Sequence, residues 1–187
     1  MLRLFTDKRH ADVAAYLAEE IEKLERGGAT FGLLSSVTPH LVFEDVRAKV
    51  RLPLLSIVET TRDAAVTFGL RRVALFGTRF TMQSSFFADT FAQAQIHVIT
   101  PAPHEQDYIN EKYFGELVNG IFPETTRGRM LDIVERLRRE EAIDGLILGG
   151  TELPLLLQNE SHNGVRFLNT MQIHVEALVA ELLSNNR

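Results

Sequence analysis

Short apolar runs alternate with longer amphipathic stretches along almost the whole sequence. The apolar runs have the length and near-continuous hydrophobicity of strands that are buried on both faces of a sheet. They lie at 31–37, 52–58, 71–77, 96–100 and 144–150. The stretches around them are predicted helices, at 11–26, 59–69, 81–94, 107–119, 127–141 and 171–184. Such alternation predicts an α/β fold in which mainly parallel sheets are flanked by helices.

An internal repeat indicates two halves. IEKLERGGATFGLL (21–34) and VERLRREEAIDGLI (134–147) align without gaps and share six identical positions. Any two helix–strand units resemble one another in composition, because amphipathic helices favour Leu, Glu and Arg. Here, however, each strand also runs into a threonine-containing loop, SSVT (35–38) or GGTE (149–152). The shared loops favour a true duplication.

The repeat predicts two pseudo-symmetric lobes. Lobe A would consist approximately of residues 1–70 plus 165–187, and lobe B of residues 71–164. If the lobes face each other, the two threonine loops meet across one cleft at the carboxyl ends of the strands. Open α/β sheets bind ligands at that edge, so we expect a ligand site there.

Composition narrows the partners and the chemistry. The 25 acidic and 20 basic residues are interspersed and leave a net charge of −5, so the sequence offers no basic stripe to nucleic acid. No apolar run approaches the roughly 20 residues that span a bilayer, and the N-terminal MLRLFTDKRH lacks a signal peptide's hydrophobic stretch. We expect a cytoplasmic protein without membrane association. The chain has no cysteine, which excludes disulfides and thiol nucleophiles, and its histidines lack metal-ligand spacing, so we expect no metal.

Six segments, in this order, resemble successive motifs of the aspartate/glutamate racemases. They are FGLLSSVTPH, LPLLSIVETT, VALFGTRFTM, YFGELVNGIF, DGLILGGTELPLLL and FLNTMQIHVEA. The resemblance covers most of residues 20–183, and GTRFTM (77–82) and GGTELPLL (149–156) are its most specific parts. It implies a small-carboxylate or amino-acid ligand, no cofactor and a homodimer. It also implies inversion at the ligand's α-carbon by two cysteines, one that removes the α-proton and one that returns a proton to the opposite face.

Both of the family's cysteine positions hold other residues, Ser35 and Gly150. A thiol has a pKa of about 8.5 that can be tuned downward, whereas an unassisted serine hydroxyl does not ionise at neutral pH. Ser35 would therefore need a base, for which His40 is the nearby candidate. Gly150 has no side chain, so the sequence excludes two-base racemisation by the family's route. A one-sided reaction with Glu152 as the base stays open, although the family also has glutamate there.

The groups that would hold a ligand are better retained than the acid and base groups. Thr38, Thr78, Thr81 and Thr151 are our candidates for carboxylate binding, because a strand that ends at Gly77 before a helix points N–H groups and hydroxyls toward an anion. Equally, Thr81 would be a helix N-cap, and Thr38 and Thr151 would close turns. His174 is interpreted as a helical residue with a satisfied ring nitrogen rather than as a ligand contact.

The sequence leaves three functions open. The first is a racemase-family protein that has lost the thiol route, and the second is a non-catalytic protein that binds or senses a small carboxylate. The third is a relative of the single-cysteine decarboxylases and isomerases, which would also lack its required residue. Family members typically begin with a strand, a glycine-rich turn and a helix before anything resembling LRLF (2–5), and we expect that unit to be absent. Its loss would expose a sheet edge and favour pairing with a second subunit.

Overall fold

The computed structural model describes residues 9–184, so LRLF (2–5) lies outside the described part. Its helices are α1 His10–Arg26, α2 Phe43–Arg47, α3 Ile57–Thr67, α4 Arg79–Gln83, α5 Phe86–Ala92, α6 Pro103–Gly115, α7 Glu124–Glu141, α8 Leu153–Leu156 and α9 Thr170–Ser184, with 3₁₀ turns at Thr38–Val42 and Leu117–Asn119. Its strands are β1 Gly32–Leu33, β2 Leu54–Leu55, β3 Arg72–Gly77, β4 His97–Ile99, β5 Gly145–Gly149, β6 Ser161–His162 and β7 Val165–Asn169. Strand and helix alternate as the sequence predicts.

The larger sheet has the strand order β4-β3-β5-β7-β6. All of its pairings are parallel except that of the short β6 with β7. Alternate residues of β3 face opposite layers: Ala74 and Phe76 belong to the hydrophobic cluster formed with α6 and α7, whereas Val73 and Leu75 belong to the cluster formed with α3 and α5. Because both faces are covered, the central strands need apolar residues at every position.

The smaller sheet consists of β1 and β2, which pair in parallel over two residues each. A third hydrophobic cluster surrounds it and includes the buried stripe of α1 at Val13, Leu17 and Ile21. The fold is therefore α/β, with two parallel or mainly parallel sheets flanked by helices, as predicted. Among residues 9–184, none of the helices combines the length and the hydrophobicity needed to cross a bilayer.

Two elements differ from what the sequence predicts. The helix predicted at 81–94 begins at Arg79 and breaks between α4 and α5, because Ser84 is extended (φ −91°, ψ 154°). The polar segment 159–164, for which no strand is predicted, contains β6. The repeat places residues 165–169 in lobe A, and in the structure β7 is hydrogen-bonded to β5 in the larger sheet. The lobe division stays a prediction.

Candidate functional site

The candidate site lies where β3 and β5 end side by side. Gly77 and Gly149, the last residues of the two strands, are register partners. A Cβ on Gly77 would lie 2.8 Å from the carbonyl oxygen of Gly149, and a Cβ on Gly149 would lie 2.7 Å from the carbonyl oxygen of Phe76. Only glycine fits at both strand ends. The loops that follow, Thr78 onward and Gly150–Glu152, therefore leave the sheet next to each other.

The two candidate threonines after β3 are hydrogen-bonded to each other. Thr78 is the N-cap of α4: its Oγ1 accepts from the backbone N–H of Thr81 at 3.3 Å and lies 3.1 Å from the Oγ1 of Thr81. Thr78 is 7% exposed and Thr81 is fully buried. Thr81 is thus not the N-cap that the sequence suggested. Its hydroxyl supports Thr78, and Thr78 is the member of the pair that solvent reaches.

The start of α4 is less open to an anion than the sequence suggested. Its first residue, Arg79, donates its backbone N–H to the Oδ1 of Asn110 at 2.8 Å. The N–H of Thr81 is taken by Thr78. Two of the backbone donors at this helix start therefore already have protein acceptors. A ligand carboxylate would have to rely on hydroxyl groups more than on the helix terminus.

The loop after β5 is tied to α6 through a tyrosine. Tyr113 is buried on the same face of α6 as Ile109 and donates its hydroxyl proton to the Oε2 of Glu152. The hydroxyl of Thr151 donates to the same oxygen at 2.7 Å. Burial, and after it the hydrogen bond to Glu152, raises the pKa of Tyr113 above its ordinary value. The phenol is therefore protonated and acts as a donor at neutral pH.

The loop after β1 holds an exposed Ser35 and a half-buried Thr38. Val37, between them, belongs to the same buried cluster as Leu75 and Ile147, which places this loop against the larger sheet. The turn Thr38–Val42 also contacts α4. The loop of the smaller sheet thus packs against the elements that carry Thr78.

His40 is not a base for Ser35. Its Nδ1 lies 3.0 Å from the carbonyl oxygen of Ser36, and its Nε2 lies 3.2 Å from the backbone nitrogen of Ile57, which donates to it. Both ring nitrogens are therefore engaged with the backbone. Burial lowers the pKa of His40 to about 4. His40, the nearby candidate base, therefore does not serve Ser35, because the lone pair that a base would need already accepts the backbone N–H of Ile57.

His174 differs from its prediction as well. It lies on α9 as expected and is 2% exposed. Within residues 9–184, however, neither of its ring nitrogens has a hydrogen-bond partner. Burial lowers its pKa. The expectation of a satisfied ring nitrogen is wrong, and an unpaired imidazole in the core costs stability.

The structure brings together four of the six candidate positions. Thr78 and Thr81 form one pair after β3, and Gly150 and Thr151 follow the adjoining strand. No hydrogen bond in the described part of the chain links Ser35 or Thr38 to these four, so their contribution to a common site stays a prediction. A cavity of about 460 Å³ does lie between the Thr38–Val42 turn, α3 and α5, but none of the six candidates lines it.

Tyr113 is the site residue that sequence reasoning does not find. The sequence places it on the buried stripe of a helix, where an aromatic residue is most simply a core residue. What distinguishes Tyr113 from other core residues is that its ring lies against Gly150, which belongs to a different element. No local sequence pattern connects the two residues. Among the described residues no cluster of three or more histidine or acidic side chains is arranged to hold a metal ion.

These features define a two-sheet α/β protein whose candidate site lies at the carboxyl ends of parallel strands. A sequence model of the Asp/Glu/hydantoin racemase family matches residues 3–178. An aspartate racemase homologue from Pyrococcus horikoshii OT3 is 32% identical, with a TM-score of 0.80 over 91% of this chain and 74% of that one. A candidate Asp/Glu racemase from Yersinia pestis is 28% identical, with a TM-score of 0.87 over 97% of this chain and 78% of that one.

The aspartate racemase of Picrophilus torridus shares the fold, with 20% identity and a TM-score of 0.73 over 90% of this chain and 68% of that one. The chain belongs to the Asp/Glu/hydantoin racemase family. It does so without a cysteine anywhere in its sequence. The family's fold is thus present in a chain that has no thiol with which to move a proton.

Proposed function

We propose that this protein binds a small carboxylate, of the amino-acid type its family acts on, and does not racemise it by the two-cysteine route. The observation that carries the proposal is the pairing of Gly77 with Gly149, which sets the Thr78 loop beside the Gly150–Glu152 loop. Thr38, Thr78 and Thr151 would contact the ligand, and Thr81 would hold Thr78. The loop after β1, which holds Ser35 and Thr38, would form the opposite wall of the cleft.

The side chains around this cleft support binding rather than proton transfer. His40 does not activate Ser35, because both of its ring nitrogens are hydrogen-bonded to the backbone. Gly150 carries no acid or base group. Tyr113 covers Gly150, but burial raises its pKa, so it offers almost no phenolate to remove an α-proton at neutral pH. Glu152, the candidate base for a one-sided reaction, already accepts hydrogen bonds from Tyr113 and Thr151 on its Oε2. A site that has threonine hydroxyls but no thiol favours a protein that binds its ligand and releases it unchanged.

Thermal shift with a panel of amino, hydroxy and keto acids tests the binding. A ligand at 100 times its dissociation constant stabilises a protein by about 2.7 kcal/mol, which corresponds to a rise in Tm of about 5–10 °C at this chain length. The variant Thr78→Val removes the cap hydroxyl and should abolish most of the rise. The matched control is Thr67→Val, which removes an exposed hydroxyl that donates to the Asp63 carbonyl on α3 and should leave the rise intact.

Comparing Thr78→Val with Thr67→Val separates a loss of ligand binding from a general loss of stability. Thr78→Val also loses about 1 kcal/mol of capping, so the readout is the ligand-induced rise measured within each variant. If no carboxylate raises the Tm of the wild type, or if both variants keep the full rise, the proposal fails.

We also propose that the protein is a cytoplasmic homodimer. The support for the dimer is an exposed apolar stripe on α9, with Val175, Val179 and Leu182 at spacings of four and three. Such a stripe is stabilised when a second surface covers it. Light scattering should give twice the chain mass for the wild type and the single chain mass for Val179→Glu. A monomeric wild type would refute the dimer.

A further inference from the structure

The residue at position 150 has no room for a side chain. A Cβ built on Gly150 would lie 2.6 Å from both the Cε2 and the Oη of Tyr113, and 2.9 Å from its Cζ. Real Cβ atoms do not approach other heavy atoms so closely, so one of the two residues would have to move. It is the hydroxyl end of the tyrosine that covers Gly150.

Tyr113 is fixed in this place. It is 6% exposed and belongs to the hydrophobic cluster that includes Leu148 of β5 and Met82 of α4. Its hydroxyl donates to Glu152, two residues beyond Gly150. A ring held by packing at one end and by a hydrogen bond at the other cannot swing aside without losing both. A side chain at position 150 would therefore destabilise the packing around Tyr113 and Gly150.

We propose that Tyr113 is the specificity-determining residue of this cleft: its phenol stands where a side chain at position 150 would project, and it closes that half of the pocket. The inference rests on the proposed function, because it concerns the same ligand site. The ligand would meet a neutral phenol from α6 where the resemblance implies a cysteine after β5. The ring limits the size of the ligand on that face, and a cysteine returned at position 150 does not fit while the tyrosine remains.

A stability cycle tests the steric claim. Gly150→Cys should lower the Tm of the wild type by about 5 °C, because overpacking a filled site costs about 1–3 kcal/mol. In a Tyr113→Ala background, where the ring end is gone, the same Gly150→Cys change should cost no more than about 1 °C. If Tyr113→Ala does not fold, Tyr113→Leu replaces it, since that side chain is too short to reach position 150.

Thiol labelling gives a second readout, because any introduced cysteine is the only one in the chain. The thiol introduced by Gly150→Cys should react with a disulfide reagent about tenfold faster, or more, in the Tyr113→Ala background than with Tyr113 present, since access limits its rate. Ser35→Cys is the matched control: Ser35 is exposed, so the thiol placed there should react equally fast with either residue at position 113. Equal rates for the Gly150→Cys thiol in both backgrounds, together with an additive stability cycle, would overturn the proposal.

Ligand selectivity separates this inference from the proposed function. Tyr113→Ala should be stabilised by carboxylates with larger substituents that leave the wild type unchanged, whereas Tyr113→Phe, which keeps the ring, should retain the wild-type size limit. If carboxylates bind and all three proteins show the same size limit, Tyr113 does not set the specificity. If no carboxylate binds any of them, the proposed function fails, and the cycle and the labelling alone decide whether the phenol occupies the place of a side chain at position 150.

Discussion

Acidification should destabilise the protein through His40 in a defined pH window. In the folded chain burial lowers the pKa of His40 to about 4, whereas in the unfolded chain it is about 6.5. The unfolded state therefore binds the proton more readily. The stabilising contribution is complete above about pH 6.5 and is lost progressively as the pH falls toward about 4. A difference of about 2.5 pH units corresponds to about 3 kcal/mol of unfolding free energy.

The structural reason is that protonation would charge a ring that is 3% exposed and would remove the lone pair that accepts the N–H of Ile57. His174 and Arg47 also act to lower the pKa of His40, because a positive charge on either of them repels the imidazolium. Urea denaturation from about pH 4 to about pH 8 measures the effect as the pH dependence of the unfolding free energy.

The variant His40→Gln isolates the contribution of this residue. It should lose less stability than the wild type between about pH 6.5 and about pH 4. The loss that remains would come from His174, whose pKa is also lowered by burial. The control His97→Gln changes an exposed histidine on β4 and should keep the wild-type pH dependence. If the wild type and His40→Gln lose stability in parallel over this window, the assignment to His40 is wrong.

Three further predictions concern stability. Arg136→Met should lower the unfolding free energy by about 3–5 kcal/mol. It leaves Glu105, which is 5% exposed, without the guanidinium that donates to both of its oxygens. Adding Glu105→Gln to Arg136→Met should recover part of that loss in denaturant titrations. Gly77→Ala should lower the Tm by several degrees, at a cost of about 1–3 kcal/mol, since its Cβ would lie 2.8 Å from the Gly149 carbonyl oxygen. His174→Leu should leave the unfolding free energy unchanged or raise it, because two buried nitrogens without partners are removed; a loss of more than about 1 kcal/mol would indicate an essential polar role.

The sequence predicts the layers of the fold well and the site only in part. Continuous apolar runs such as 71–77 and 144–150 are buried strands because nothing but a two-sided sheet core tolerates apolar residues at every position. The β6–β7 pairing escapes prediction because it begins in a polar segment at the sheet edge, where solvent permits almost any residue. The break at Ser84 escapes it because the predicted helix 81–94 contains no glycine or proline that would mark an interruption.

In the candidate site, local sequence patterns predict some features and miss contacts between distant segments. The absence of cysteine at positions 35 and 150 is readable from the sequence and excludes the two-cysteine route. The role of Tyr113 is not readable, because it arises from packing between α6 and the loop after β5, which are separated by α7 in the chain. His40 fails as a base for a similar reason: its partners are the carbonyl of Ser36 and the N–H of Ile57, and only the folded chain brings the second within reach.

Proton NMR of a bound carboxylate in deuterated water tests the central claim most directly. A ligand that raises the Tm is incubated with a stoichiometric amount of protein, and the intensity of its α-proton is followed for hours beside a protein-free sample. We predict that the signal stays constant and that no opposite enantiomer forms. The chain has no thiol, His40 does not activate Ser35, and burial raises the pKa of Tyr113. Loss of the α-proton signal at a rate above that of the protein-free sample would contradict the account.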